Sequence, residues 1–115
     1  MNSANFWHNL EAMVGSCRLV IDRPKGTRHP HYPDFVYPYD YGYLEDTHSS
    51  DMAGIDVWRG SLPMPVVTAI ICTVDLHKRD SEVKLLLGCT KQEAQDILAV
   101  HNSGSQAGLL IERLE

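Results

Sequence analysis

The most apolar stretch lies between residues 65 and 75, where PVVTAIICTVD reads as one long strand rich in β-branched side chains. LHKRDS then turns the chain, and EVKLLLG returns it, so residues 65–88 predict a β-hairpin. Residues 4–14 follow a helical period instead, with Phe6, Leu10, Met13 and Val14 on one face, Ser3 or Asn5 to cap the start and Gly15 to end it. A second helix is predicted over TKQEAQDILAVHN. Thr90 and Glu93 have capping-box spacing, and Ala94, Ile97, Leu98 and His101 share a face. CRLVID, IDVWRG and AGLLIERL complete the strands, while 35–37 and 41–44 form two short extended pieces broken by Pro38.

The order is helix, several strands, helix, strand, without a βαβ rhythm or internal repeat. It predicts an α+β, mainly β fold: a small closed antiparallel barrel, which removes exposed edges, with an N-terminal helix and one late flanking helix. At 115 residues a single domain over 1–115 is expected. A hydrophobic fraction of 43% with 22% charged residues fits a packed globular chain and opposes disorder. The net charge of −5 argues against a nucleic-acid binder. Cys17, Cys72 and Cys89 are odd in number and form no CxxC pair, as expected in a reducing compartment. No basic leader is visible, and no apolar run reaches the roughly 20 residues that span a bilayer, so a cytoplasmic location off the membrane is expected. Phe6 and Trp7, read as exposed near the N-terminus, suggest a homo-oligomer.

Candidate chemistry begins with acids that a core would not choose. Asp51 lies in a loop, Asp56 opens a strand with Trp58 on the same face, Asp75 ends the long strand, and Glu82 and Lys84 alternate onto one face of its partner. Carboxylates converging on one barrel mouth would repel without a cation, and their hard oxygens select Mg²⁺ or Mn²⁺. Arg23, Lys25, Arg28, His29 and His31 occupy a Pro/Gly-rich stretch, and the cations together with tyrosine hydroxyls suit a phosphorylated substrate.

The segment YPYDYGYLEDT, followed by IDV, resembles the central motif of the soluble Mg²⁺-dependent inorganic pyrophosphatases, YPxNYGYIxxT followed by DGDPxDV. The similarity runs without a gap from Tyr37 to Val57 and weakly includes VIDRPKG upstream and the 66–87 hairpin. It implies a small closed barrel that cleaves pyrophosphate to two phosphates using Mg²⁺. It further implies metal ligation by Asp51, Asp56, Asp75 and Glu82, with Asp80 a rival to Glu82. Phosphate would be held by Lys25, Arg28, Tyr37, Tyr41 and Lys84, with Asp56, Tyr41 and Lys84 catalytic and Asp22 in place of an outer glutamate.

The chain departs from that pattern where the middle aspartate, the family's base, is Ala53; its neighbours are Met52 and Gly54. General-base help is typically worth about 10²–10⁴-fold. Glu45, Asp46 and Asp40 are the nearby acids that offer a substitute. Two further readings therefore stand beside hydrolysis. One is a pyrophosphatase-like module binding phosphate, metal or a protein partner without turnover. The other is a barrel that stacks single-stranded nucleic acid on its tyrosines, which the acidic balance opposes.

Overall fold

The computed structural model describes residues 3–49 and 52–114. Its elements follow the order α1 (Ala4–Ser16), β1 (Leu19–Arg23), β2 (Asp40–Leu44), β3 (Ile55–Arg59), β4 (Val67–Asp75), β5 (Asp80–Leu87), α2 (Lys91–Val100) and β6 (Gln106–Glu112). The hairpin predicted from the β-branched run is β4–β5, paired antiparallel from Val67↔Leu87 to Asp75↔Asp80. Asp75 makes the turn. Its Oδ1 accepts the backbone N–H groups of His77 and Lys78 at 3.0 and 3.1 Å, an Asx-type arrangement that holds Lys78 at the hairpin tip.

Closure into a barrel is not found. The strands form an open sheet in the order β1-β2-β3-β5-β4-β6, and among the described residues β1 and β6 remain its edges. One neighbour pair, β3–β5, is parallel, with Val57 opposite Leu85. The physical reason lies in how the faces are covered. Trp7 and Val14 of α1 join Leu44, Val57, Ile70 and Leu85 in one core cluster. Ala94 and Ile97 of α2 join Tyr37, Trp58, Ile71 and Leu86 in the other. A helix on each face buries the apolar surface that closure would otherwise have to enclose.

Local expectations were met unevenly. The capping box is present: the Thr90 hydroxyl accepts the Glu93 N–H at 3.1 Å, and Glu93 Oε1 accepts the Thr90 N–H at 2.8 Å. Gly15 does not end α1, which continues through Ser16 to an extended Cys17. Ser3 occupies the N-cap without a side-chain bond. Trp7 is buried, leaving Phe6 as the exposed ring of that pair. No described helix is long and apolar enough to cross a membrane.

Candidate active site

The tyrosine motif is held in place by a glycine. Gly42 faces Ile21 of β1, next to a bulge between Ile21 and Arg23. A β-carbon at Gly42 would overlap the Val20 carbonyl, so only glycine lets β1 cross so close to β2. That close crossing leaves Tyr41 paired with Arg23 on one side and with Trp58 of β3 on the other. Paired residues share a sheet face, so Tyr41, Trp58, Leu86 and, one step along the strands, Asp56 and Lys84 look the same way.

Four chemically active side chains meet there. Lys84, 5% exposed, donates from Nζ to Asp56 Oδ2 at 2.8 Å and to the Tyr41 hydroxyl at 3.1 Å. Glu82 Oε2 lies 3.7 Å from the same nitrogen. Burial, the Asp56 charge and hydrogen bonding toward Asp56 drive the Tyr41 phenol far above its ordinary range. Tyr41 therefore stays protonated and serves as a donor, never as a base. A buried ammonium is costly unless it is paired. The two carboxylates supply the pairing for Lys84.

The group opens into a cleft of about 240 Å³ lined by His29, Phe35, Tyr37, Lys78, Glu82 and Lys84, with Trp58, His101 and Gln106 deeper in its wall. Tyr37 is buried against Tyr41 and Trp58, with ring centroids 5.4 and 5.9 Å away. The back wall is a bonded chain. Trp58 Nε1 donates to His101 Nε2 at 3.0 Å, and because indole nitrogen only donates, His101 carries its proton on Nδ1, facing Gln106 Oε1 at 3.0 Å. Burial, reinforced by the Lys84 charge and opposed by the Gln106 bond, lowers the His101 pKa to about 4. With both nitrogens engaged, His101 shapes the wall and is not a metal ligand.

The remaining expected site residues are placed elsewhere. Asp75 shares the face, but its carboxylate is engaged by the hairpin amides and by Ser105 Oγ at 2.8 Å. Those bonds, the Lys78 amide foremost, hold its pKa below the usual carboxylate range. Lys25 lies over the Tyr39 ring, and Tyr39 donates to Asp96 of α2 at 2.6 Å. Arg28 donates to the Pro33 carbonyl at 2.7 Å, which ties it to its own loop. Asp51 lies outside the described residues. Among the substitute acids, Asp40 accepts the Lys25 N–H at 2.8 Å and Glu45 pairs with Arg18 at 3.4 Å. Asp46 is exposed, with a positive φ of 62°. None of the three lines the cleft.

Sequence reasoning did not assign Lys78, His101 or Gln106 to the cleft. Only His101 gave a signal, being a polar residue on the apolar face of α2. A larger hollow of about 490 Å³ lies at Glu11, Val67 and Arg113, where Arg113 is already paired with Glu11 at 2.6 Å.

Among the described residues no cluster of three or more His, Cys, Asp and Glu side chains can hold a metal ion by itself. Asp56 and Glu82, both oxygen donors beside one cleft, nevertheless fit a Mg²⁺ that is shared with substrate phosphate, which needs only one or two carboxylates from the protein. Cys89 is buried, and burial raises its thiol pKa to about 12.

No protein-family profile and no curated protein matches the chain. Among solved structures it is similar to an inorganic pyrophosphatase from Helicobacter pylori, with a TM-score of 0.56 over 84% of this chain and 81% of that one, at 14% identity. At that identity the likeness establishes a pyrophosphatase-like fold.

Proposed function

We propose that the chain hydrolyses a small phosphoanhydride, with inorganic pyrophosphate the leading substrate. The observation that carries this reading is the meeting of Asp56 with Lys84, Tyr41 and Glu82, the last three lining one cleft, in a fold similar to that of a pyrophosphatase. Lys84 and Lys78 supply positive charge to the phosphates, and the Tyr41 hydroxyl, locked in its protonated form, orients Lys84 and Asp56. Asp56 and Glu82 would hold Mg²⁺ or Mn²⁺, with Asp51 as a further ligand. When bound, that cation would neutralise phosphate charge and lower the pKa of a coordinated water. With Ala53 in place of the family's base, Glu82 is the cleft-lining carboxylate able to accept the water's proton.

The test is phosphate release from pyrophosphate with Mg²⁺ or Mn²⁺, comparing wild type with Asp56→Ala and confirming by thermal melting that the variant is folded. Release should be metal-dependent and fall by about 10²-fold or more in the variant. Background-level release from both proteins would reject the hydrolase. Ala53 specifically favours a second reading, a module that binds phosphate without turnover. That reading predicts saturable pyrophosphate binding with no phosphate released.

A further inference from the structure

The cleft is lined by two chemically different sets of groups, and bare pyrophosphate needs only one of them. Lys84, Lys78 and Glu82 form the charged set. Flat rings form the other and run out to the rim. Tyr37 is 5% exposed at the bottom; Phe35 meets it edge-on with centroids 4.9 Å apart, and His29 lies parallel to it at 6.2 Å. Tyr32, 64% exposed, continues the run against His29 at 4.9 Å. Such a series of rings from floor to solvent exceeds what closing a core requires.

The loop that carries these rings is fixed rather than slack. Arg28 and Val36 form an antiparallel bridge, with the His29 N–H donating to the Phe35 carbonyl at 3.0 Å and the Tyr37 N–H donating to Thr27 at 2.9 Å. Positive charge borders the rings as well, since Arg23 and Lys78 both act on the His29 imidazole. A flexible hydrocarbon tail would gain little from rigid rings edged by cations. A planar heterocycle carrying phosphates matches both sets. Rings with polar edges take its face, and the lysines take its anionic tail.

We infer that the cleft accepts a nucleoside diphosphate or triphosphate, with its phosphates at Lys84 and Lys78 and its base stacked on the His29–Tyr32–Phe35 rim. At about 240 Å³ the enclosed part holds the phosphates, and the base rests on the open rim. This inference rests on the phosphate-binding reading of the same cleft.

Calorimetric titration with uncleavable probes separates the two. Methylene-bisphosphonate represents bare pyrophosphate, α,β-methylene-ADP adds the nucleoside, and the corresponding ribose compound without a base is the control. Each is titrated with Mg²⁺ into the full chain. The expected result is that α,β-methylene-ADP binds about tenfold tighter than the other two, and that Tyr32→Ser brings the ratio of Kd values toward one. If methylene-bisphosphonate binds and the nucleoside analogue gains nothing over it, the inference falls and the phosphate reading stands. Equal affinity for the ribose and nucleoside compounds likewise overturns it, because the base is then not read. If none of the three binds, the phosphate reading falls and takes the inference with it.

Discussion

Gly42 illustrates how one residue without a side chain positions several that have them. Its lack of a β-carbon lets the Val20 carbonyl approach, and the adjacent bulge brings Arg23 opposite Tyr41. Gly42→Ala should cost about 1–3 kcal/mol, the usual cost of overpacking, and should misplace Tyr41 as well. Chemical denaturation would check the first effect, and an unchanged midpoint would contradict the crossing geometry. The glycine was visible in the sequence as part of YGY, but its reason was not, because the obstructing carbonyl belongs to another strand. Lys84 and Asp56 were legible for a simpler reason. Strand alternation fixes the face of each side chain, and the lysine and aspartate lie opposite one another across the parallel β3–β5 pair. Lys25 and Arg28 were assigned to phosphate by the family resemblance. The direction of an irregular loop cannot be read from a period; here Lys25 lies over the Tyr39 ring and Arg28 donates to the Pro33 carbonyl.

Among the elements, α2 does two jobs. Its N-terminus is closed by the Thr90–Glu93 box, whose Glu93 also accepts the Ser61 N–H at 3.1 Å. Thr90→Ala should lower stability by about 1 kcal/mol, measurable as a shifted denaturation midpoint at constant slope. Its C-terminus delivers His101 to Trp58 and Gln106, bonding α2 to β3 and β6 behind the cleft. Because folding lowers the His101 pKa from 6.5 to about 4, the folded state favours the neutral ring. That contribution is fully present above pH 6.5 and is lost as pH falls from 6.5 through 4. Its size is on the order of 3 kcal/mol. His101→Gln should therefore flatten the pH dependence of stability across this window. An identical slope in both proteins would show that the imidazole does not carry it. The helical period placed His101 on the apolar face of α2, but nothing local specified an indole 43 residues away as its partner.

For the molecule as a whole, the elements were largely readable because each follows a clean period, whereas the way the sheet ends was not. Barrel closure was expected from the need to hide edges, and helices on both faces met the burial requirement instead. The likeness to a pyrophosphatase places this open sheet in a known architecture. As proposed above, the Lys84–Tyr41–Asp56–Glu82 group cleaves a phosphoanhydride. Phosphorus NMR of pyrophosphate with the protein and Mg²⁺ follows binding and cleavage in one sample. The pyrophosphate resonance should shift or broaden on binding and then be replaced by that of free phosphate. A pyrophosphate signal that does not decay, whether or not it shifts, would contradict cleavage.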